Sequence, residues 1–482
     1  MKPLIRVLEG LTGRPIPDVT ISGLSVDSRR IAPGDAFVAL SGGDGHGMRY
    51  AADALGAGAA VIVDDGLQPP PAELAERCVT VPGLADELSL IARRFWDAPD
   101  ESLEIDAVTG TNGKSSVAWL LAQALDGGMI GTLGIGAPGA LATAHHTTPD
   151  TIGLYRALAR LRDTGFRRVV VEASSHALDQ RRTAGLRFRT VMFTNLGRDH
   201  LDYHGSMEAY GRAKARLFED YSSRYQIINA DDAFGRQLCA SLRAGSGLIR
   251  YGMDKAHMPE VLGVIRNVAL DGIQFDVNTP IGRICCTSRL VGRINAGNLT
   301  LVVANLMARG YCVRDIADIV SRLTPVPGRM NRIEGPAGQR VIIDYAHTPD
   351  ALAGALAALR ELTPGRLVCV FGCGGDRDRG KRPEMGRIAE SCADQVILTN
   401  DNPRHEQPLR ILRDIQQGMA RPDRARVIPD RAQAIEAAVL AAGPNDCVLV
   451  AGKGHERTQD FGSTVAEFSD FDAVQSAMTE AA

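Results

Sequence analysis

The sequence predicts an α/β protein with three domains. Short apolar segments alternate with helical patterns in sequence that is rich in Ala and Gly and poor in aromatic residues. The length of 482 residues is enough for two to four separate cores. We expect a small N-terminal α/β domain at 1–86, a central parallel sheet with helices at 87–328, and a C-terminal Rossmann-like domain at 329–482. The Pro- and Gly-rich segment 323–329 is typical of a hinge between the last two.

The predicted strands are the apolar runs of the chain. They are 36–40 and 60–63 in the first domain, 103–108, 168–172, 190–194 and 226–228 in the second, and 341–344, 367–371, 395–398 and 447–450 in the third. Ligands of open α/β sheets collect at the carboxyl ends of such strands. The residues that follow each run are therefore the first candidates for a functional site.

Charge and cysteine content exclude several classes of protein. A net charge of −3 gives no basic field that would attract nucleic acid or an anionic membrane. The N-terminus lacks the apolar run of a signal peptide, and no segment reaches membrane-spanning length. The nine cysteines are scattered without a CxxC pair, which favours reduced thiols over disulfides or a zinc site. We expect a cytoplasmic monomer that acts on small molecules.

Residues 108–116, Val-Thr-Gly-Thr-Asn-Gly-Lys-Ser-Ser, follow one of these strands and lead into a predicted helix. In such a turn the backbone amides and the helix dipole face a phosphate chain, Lys114 neutralises it and the Ser115 hydroxyl reaches a magnesium ion. The general P-loop has a glycine five residues before Gly113, where this chain has Val108. A glycine turn that merely caps a helix is the alternative, but the position between strand and helix favours a phosphate site.

Two further segments of the central domain carry titratable groups at strand ends. Glu172 follows the strand 168–172 at the place where a P-loop domain has a metal-binding acid. The segment 193–204 adds two histidines, two aspartates and an arginine behind the next strand. The spacing does not tell which histidine matters. Lys214, in a helical pattern, is predicted from local sequence alone to be an ordinary solvated lysine.

The C-terminal domain has three polar loops after predicted strands, at 372–383, 400–404 and 451–456. Three such loops in one domain predict a pocket for a charged small molecule, although each alone would be explained as an exposed turn. Arg377 and Arg404 are suited to bidentate pairing with carboxylates, and Glu456 to holding an ammonium group. No HExxH, GxSxG or paired Cys/His pattern supports a metal hydrolase or a thiol enzyme.

Taken together, these segments resemble the Mur ligase family of peptidoglycan synthesis, in order along the whole chain. The segments that carry the resemblance are 27–29, 109–115, 147–149, 172–176, 195–204, 328–330, 344–349, 372–378, 401–404 and 452–456. The shortened P-loop of the family explains Val108. Ser115 stands where Thr is common and keeps its hydroxyl, and Asn331 stands where Glu often follows Gly-Arg-Met.

The resemblance implies an ATP-dependent, magnesium-dependent amide ligase. In this reaction ATP phosphorylates the D-Glu carboxylate of UDP-MurNAc-L-Ala-D-Glu, and an incoming amine attacks the acyl phosphate and releases ADP and phosphate. The sequence Asp-Asn-Pro-Arg at 401–404 is the version associated with meso-2,6-diaminopimelate, because an arginine there suits the distal carboxylate that lysine lacks.

The same resemblance assigns roles by residue. The catalytic residues would be Lys114, Glu172, His200 and Lys214. The metal shell would be Ser115, Glu172, His200 and Lys214, the last as a carbamate. ATP would be bound by Gly110, Thr111, Asn112, Gly113, Lys114, Ser115, Ser116, Asn298, Arg329 and Asp344. The sugar-peptide would be bound by Ser28, Thr147, Thr148, Ser174, Gln180 and Arg182. The amino acid would be bound by Arg377, Asp401, Asn402, Pro403, Arg404, Gly452 and Glu456.

Three alternatives remain at this stage. A lysine-adding homologue is disfavoured by the Asp-Asn-Pro-Arg segment, and a folylpolyglutamate-type ligase by the extra N-terminal domain. A nucleotide-gated binding protein without catalysis is disfavoured by the presence of Lys114, Glu172, His200 and Lys214.

Overall fold

The computed structural model describes residues 1–42, 45–144, 146–242, 247–335 and 338–480. The chain forms two compact units, Met1–Glu260 and Val261–Ala482, and each is described by itself. The division at residue 260 falls inside the predicted central domain, and the predicted domain boundaries after residues 86 and 328 stay predictions.

The first unit begins with a four-stranded parallel sheet in the order β3-β4-β7-β8. Its strands and the short strands beside it are β1 (Lys2–Pro3), β2 (Thr20–Ile21), β3 (Leu24–Ser25), β4 (Ala36–Ala39), β5 (Ser41–Gly42), β6 (Gly45–His46), β7 (Val61–Asp64) and β8 (Cys78–Thr80). The helices of this part are α1 (Leu4–Leu8), α2 (Ala51–Gly56) and α3 (Leu84–Phe95). All residues of β4 and β7 are buried, which is why uninterrupted apolar runs predicted both strands to within one residue at each end.

The second sheet of this unit has the order β12-β11-β10-β13-β9-β14-β15-β16. Its strands are β9 (Glu104–Thr109), β10 (Gly128–Gly131), β11 (Gly134–Ala137), β12 (Ala140–Ala142), β13 (Arg168–Glu172), β14 (Phe188–Phe193), β15 (Ser223–Asn229) and β16 (Leu248–Gly252). Six of them, β10, β13, β9, β14, β15 and β16, run parallel, and β11 and β12 pair antiparallel at one edge.

The register of this sheet positions the candidate site. Glu172 lies opposite Val108, and Phe193 lies opposite Thr109, so β9, β13 and β14 end side by side at one edge. Connecting helices are α4 (Pro99–Ser102), α5 (Lys114–Ala124), α6 (Thr151–Asp163), α7 (Ser175–Asp179), α8 (Leu201–His204), α9 (Met207–Glu219) and α10 (Ala233–Ser241). The loops after β9, β13 and β14 are those that the sequence marked as chemically rich.

The second unit begins with an antiparallel meander of β17 (Val261–Ala269), β18 (Gly272–Thr279) and β19 (Gly282–Ser288). The helices α11 (Arg293–Ala308) and α12 (Val313–Arg322) follow it. Ten of the residues of α11 are buried, and seven of them are Ala, Leu or Val.

The rest of this unit is a six-stranded sheet in the order β20-β21-β25-β22-β23-β24, parallel except for β20 at one edge. Its strands, with the hairpin β26-β27, are β20 (Asn331–Glu334), β21 (Arg340–Asp344), β22 (Leu367–Phe371), β23 (Gln395–Leu398), β24 (Arg426–Val427), β25 (Cys447–Ala451), β26 (Thr458–Asp460) and β27 (Val465–Glu467). Its helices are α13 (Pro349–Leu362), α14 (Lys381–Cys392), α15 (Pro408–Gln416), α16 (Arg431–Leu440) and α17 (Asp470–Glu480). Two apolar clusters flank the sheet, one on each side, as in a Rossmann-like domain.

The predicted fold class is confirmed: a small N-terminal α/β sheet, a parallel-rich sheet built around the glycine turn, and a C-terminal parallel sheet with helices. All nine cysteines are free thiols. Among the described residues, none of the helices combines the length and the apolar character that crossing a membrane requires.

Candidate active site

The glycine turn lies between β9 and α5, where the sequence placed it. Gly110 has a φ of +149° and Gly113 a φ of +87°, backbone conformations that side chains rarely allow. A Cβ atom on Gly110 would lie 1.9 Å from the Thr194 hydroxyl oxygen, so this position requires glycine. Helix α5 begins at Lys114, directly after the turn, which places a helix N-terminus at the turn as an anion site requires.

The loop after β14 holds the glycine turn in shape. The Thr111 amide donates to the Asn195 carbonyl oxygen at 2.8 Å, and the Asn112 amide donates to Asn195 Oδ1 at 2.9 Å. The Thr194 hydroxyl donates to the Asn112 carbonyl oxygen at 2.6 Å. The turn is thus ordered by neighbouring backbone and side chains, which lowers the entropy cost of binding an anion.

Two lysines donate to one carbonyl oxygen of this turn. Lys114 Nζ lies 2.8 Å from the carbonyl oxygens of both Gly110 and Thr111, and Lys214 Nζ lies 2.8 Å from that of Gly110. The Lys214 side chain is buried in α9, with its amine 4.2 Å from the centre of the Tyr210 ring. Burial, followed by the charge of Lys114, lowers the pKa of Lys214 well below the ordinary lysine value. The expectation from local sequence that Lys214 is solvated is therefore wrong.

Glu172 is fully buried at the end of β13 and accepts hydrogen bonds from Ser115 and Thr132. Its Oε2 accepts from the Ser115 hydroxyl at 2.9 Å and from the Thr132 hydroxyl at 3.3 Å, and its Oε1 accepts from the Thr132 amide at 3.0 Å. A Cβ atom on Gly131 would lie 2.1 Å from Oε1, so the close approach of β10 requires glycine there. A carboxylate and a hydroxyl at this distance are oxygen donors that suit a hard cation such as Mg²⁺.

His200 lies in a cluster of histidine and tyrosine rings. Its ring centre is 4.8 Å from that of His176 and 6.1 Å from that of Tyr210, and its side chain is about half exposed. His204 Nε2 lies 3.0 Å from the Ser175 hydroxyl in the same cluster. Within the described ranges, no group of three or more His, Cys, Asp or Glu side chains is placed to hold a metal ion. The metal shell that includes His200 and Lys214 stays a prediction.

Five of the six predicted sugar-peptide residues are linked by hydrogen bonds, Thr147 through Thr132 and through Glu172, whose carbonyl oxygen accepts from the Thr148 hydroxyl at 2.6 Å. Thr147 bonds to Thr132 at 2.9 Å, and Thr148 donates to Ser174 Oγ at 3.2 Å. Arg182 Nη1 donates to the Thr148 carbonyl oxygen at 2.8 Å, and its Nε and Nη2 donate to Gln180 Oε1 at 2.9 and 2.6 Å. The sixth, Ser28, begins a short 3₁₀ helix (Ser28–Arg30) after β3, in the N-terminal sheet.

Asn298, Arg329 and Asp344 belong to the second unit. Asp344 is buried at the end of β21 and accepts from the Met330 amide at 2.8 Å, and burial raises the pKa of its carboxyl group. The Arg329 guanidinium lies 4.7 Å from the centre of the Tyr345 ring, and it opposes that rise. Asn298 lies on α11 and donates to Asn295 at 3.2 Å. Arg329 and Asp344 are thus neighbours, and Asn298 lies on a different element.

The three polar loops of the C-terminal sheet come together, as predicted. Arg404 Nη1 donates to the Gly375 carbonyl oxygen at 2.7 Å, and the Gly375 amide donates to the Asn402 carbonyl oxygen at 2.9 Å. A Cβ atom on Gly375 would lie 1.8 Å from the Pro403 carbonyl oxygen, which explains why this loop needs glycine. The Arg377 side chain, on the same loop, is exposed.

Glu456 is already paired with a lysine of the same loop. The buried Lys453 Nζ lies 2.8 Å from Glu456 Oε2 and 2.9 Å from Asn402 Oδ1, and Asn402 Nδ2 donates to the same Glu456 oxygen at 2.9 Å. Gly452 approaches Asp401 so closely that a Cβ atom would lie 2.5 Å from its Oδ2. Burial raises the pKa of Asp401.

Sequence reasoning gave no role to Thr132, Tyr210 and Lys453. Thr132 follows β10, a four-residue strand bounded by glycines that no apolar run announced. Tyr210 stands one turn before Lys214 on α9, a spacing that marks it as a neighbour of that lysine. Lys453, flanked by Gly452 and Gly454 directly after β25, was recognisable as a lysine in a turn beside a buried strand.

We expect Lys214→Met to stabilise the protein at neutral pH. In the unfolded chain this amine binds a proton below about pH 10.5, whereas the folded protein keeps it neutral to lower pH. The unfolded state therefore binds the extra proton, and stability falls as the pH decreases from 10.5 toward the folded-state pKa. Methionine removes this penalty. In CO₂-free buffer the thermal midpoint should rise at pH 7.5 by about 2–4 °C, and the gain should shrink toward pH 10.5.

The exposed Lys255 supplies the control, because Lys255→Met should show no such pH-dependent gain. A midpoint for Lys214→Met below that of the parent at pH 7.5 would contradict the assignment of a neutral buried amine.

The family models match along most of the chain. The Mur ligase family catalytic domain matches residues 20–96, the Mur ligase middle domain matches 108–306, and the Mur ligase glutamate ligase domain matches 328–454. A relative from Alkalilimnicola ehrlichii, called UDP-N-acetylmuramoyl-L-alanyl-D-glutamate–2,6-diaminopimelate ligase, is 46% identical over 477 residues, which are 96% of each chain.

Solved structures agree with the sequence comparison. A structure of a UDP-N-acetylmuramoyl-L-alanyl-D-glutamate–2,6-diaminopimelate ligase is 33% identical, with a TM-score of 0.72 over 100% of this chain and 99% of that one. The MurF ligase from Thermotoga maritima in complex with ADP, at 17% identity and a TM-score of 0.62 over 97% of this chain and 99% of that one, shares the fold. The chain belongs to the Mur ligase family.

Proposed function

We propose that this protein is an ATP-dependent amide ligase of peptidoglycan precursor synthesis. It joins meso-2,6-diaminopimelate to the D-glutamyl carboxylate of UDP-N-acetylmuramoyl-L-alanyl-D-glutamate and releases ADP and phosphate. The near-complete match to a relative with this name supports the reaction. The observation that supports it most directly is the glycine turn with Lys114, and with Ser115 bonded to the buried Glu172, in the same chain as Arg404. The enzyme works as a cytoplasmic monomer on small molecules.

The first chemical step is transfer of the γ-phosphoryl group of ATP to the D-glutamyl carboxylate. The carboxylate oxygen forms a bond to phosphorus as the bond to the ADP oxygen breaks, which gives an acyl phosphate. Two anions must approach each other, so positive charge and amide dipoles are the main requirement. Lys114 and the amides of the turn that ends at Gly113 supply them, and Thr147, Thr148, Ser174, Gln180 and Arg182 orient the sugar-peptide. Ser28 contacts its uridine nucleotide.

The residues of the turn also fit a magnesium ion. Ser115 Oγ and the Glu172 carboxylate, 2.9 Å apart, would hold it, with His200 as a further ligand. The ion, when bound, neutralises charge on the phosphate oxygens. The buried position of Glu172 supports this assignment, because a fully buried carboxylate gains from a nearby cation.

In the second step the amine of the amino acid attacks the acyl-phosphate carbon, phosphate leaves, and the amine loses a proton to form the amide. The C-terminal loops recognise the amino acid. Arg404 pairs with the distal carboxylate of diaminopimelate, with Arg377 beside it, and Asn402 and Glu456 hold the amino end. Asp401, Pro403 and Gly452 shape the pocket. Arg329 and Asp344, with Asn298, contact the nucleotide.

Lys214 carries a carbamate in the active enzyme. Its nitrogen lone pair attacks the carbon of CO₂ and an N–H proton passes to water, which turns the neutral amine into an anionic oxygen ligand. The reaction needs a neutral amine, and burial of Lys214 favours that form because it lowers the pKa of the amine.

ADP release with a panel of amino acids tests the function. We expect release that depends on both UDP-MurNAc-L-Ala-D-Glu and meso-diaminopimelate, with lysine and ornithine far weaker because neither has a distal carboxylate to pair with Arg404. Activity with lysine alone would identify a lysine-adding homologue. Activity with a folyl substrate would identify a folylpolyglutamate-type ligase, and nucleotide binding without ADP release would identify a binding protein.

Replacement of Arg404 by alanine tests the amino-acid pocket. Loss of a charge-assisted pair should lower kcat/KM for diaminopimelate by about 100-fold and leave the KM for ATP unchanged. Arg410→Ala, an exposed arginine at the start of α15, is the matched control and should behave as the parent. An Arg404→Ala enzyme with the parent's KM for diaminopimelate would refute the pocket assignment.

Labelled bicarbonate tests the carbamate. Protein equilibrated with ¹³C-bicarbonate should show a carbamate carbonyl resonance by NMR that disappears in Lys214→Gln and persists in Lys255→Gln. A resonance that persists in Lys214→Gln, or none in the parent, would rule out the modification.

A further inference from the structure

A second arginine close to Arg404 is one of the fully buried charges of the C-terminal sheet. The Arg382 side chain, on α14, has no exposed area. Its guanidinium donates to Glu406 Oε1 at 2.8 Å, Glu406 Oε2 at 3.1 Å and Asp414 Oδ2 at 2.8 Å. Burying these charges carries a large desolvation cost, which only such close pairing offsets. Sequence reasoning assigned Arg382 no role.

The Arg382–Glu406 pair ties two loops of the candidate pocket together. Arg382 Nη2 donates to the Gly374 carbonyl oxygen at 3.2 Å, and Glu406 Oε1 accepts from the Asp376 amide at 2.8 Å. Glu406 itself follows Arg404 by two residues. One ion pair thereby fixes the loop that bears Arg377 and the backbone that leads from Arg404.

The backbone of both loops is strained where the pair holds it. Asp376 has a φ of +52° and Arg404 a φ of +51°, in the left-handed region that residues with a Cβ rarely occupy. Such conformations persist only where the surroundings over-determine them. The Asp376 amide is held by Glu406, and the Arg404 amide by the Asp460 carbonyl oxygen at 2.9 Å. Arg382 also lowers the pKa of Glu406 to about 2, so the carboxylate stays ionised at neutral pH.

We propose that Arg382 and Glu406 are positioning residues that hold the Arg404 guanidinium where it reads the second carboxylate of the amino-acid substrate. The inference rests on the proposed function and deepens it, because it assigns selectivity to a buried ion pair that touches no substrate. The Arg404 guanidinium donates to the Gly375 carbonyl oxygen at 2.7 Å. Gly375 lies between Gly374 and Asp376, the two residues of this loop that the ion pair contacts. Displacement of this loop would therefore move the hydrogen-bond acceptor that orients Arg404.

A purely structural ion pair in the same sheet provides the contrast. Asp446 accepts from Arg366 Nε at 3.1 Å and Nη2 at 2.7 Å, and from the Gly443 amide at 3.0 Å. Its side chain is 10% exposed and that of Glu406 is 7% exposed. Asp446 precedes β25, at the opposite end of the parallel strands from the Arg404 loop. Asp446→Asn therefore removes a comparable charge without touching that loop.

The test is steady-state ADP release by the full-length enzyme carrying Glu406→Gln. Glutamine keeps the size and an acceptor for the Asp376 amide but removes the charge that Arg382 binds. We expect the KM for meso-diaminopimelate to rise about 10- to 100-fold, with kcat at saturation within about twofold and the KM for ATP unchanged. Asp446→Asn should leave all three constants at the parent values, even if it lowers the thermal midpoint.

A double-mutant cycle shows whether Glu406 acts through Arg404. If it does, Arg404→Ala with Glu406→Gln loses no more kcat/KM for diaminopimelate than Arg404→Ala alone. Losses that multiply, or an unchanged KM in Glu406→Gln, overturn the inference. Glu406→Asp, which keeps the charge on a shorter side chain, is judged by the same criteria if the glutamine variant does not fold. A parent enzyme that releases no ADP with diaminopimelate overturns the proposed function itself, whereas an active parent with either negative result overturns this inference alone.

Discussion

The first unit depends on the carbonyl oxygen of Gly110, which accepts hydrogen bonds from both Lys114 and Lys214. Two ammonium groups sharing one oxygen would repel each other strongly in a buried site. Burial resolves the conflict by lowering the pKa of Lys214, which favours the neutral form of this amine. The shared oxygen joins the start of α5 to the middle of α9. The phosphate loop and the helix that carries the proposed carbamate therefore form one structural piece.

The hydrogen bond between Ser115 and the buried Glu172 depends on the same edge of the sheet. Parallel register brings the ends of β9 and β13 together, and small residues at Gly110 and Gly131 leave room for the polar groups around them. Because each glycine lacks a Cβ atom, the polar groups of Thr194 and Glu172 can approach its backbone to distances that a side chain would block.

The sequence predicted the buried strands well, because strands that are covered on both faces consist mainly of apolar residues, as in 168–172 and 367–371. It missed β10, whose Gly-Met-Ile-Gly sequence has too few apolar residues to stand out. It misjudged Lys214 because a single lysine carries no local sign of burial. The pairing of Arg382 with Glu406 and Asp414 was beyond reach, since partners 24 and 32 residues away are chosen by the fold.

The contact between Lys453 and Glu456 changes how the amino end of a substrate would be recognised. One oxygen of Glu456 is occupied by the ammonium group of Lys453 and the amide of Asn402, so the carboxylate presents itself as half of a neutral pair. The charge of Glu456 is already offset by Lys453, so the ammonium group of a substrate gains less electrostatic energy there than it would from an isolated carboxylate. Every amino acid carries that ammonium group, so weak binding of it does not reduce the discrimination between amino acids. The discrimination is left to the end of the molecule where amino acids differ.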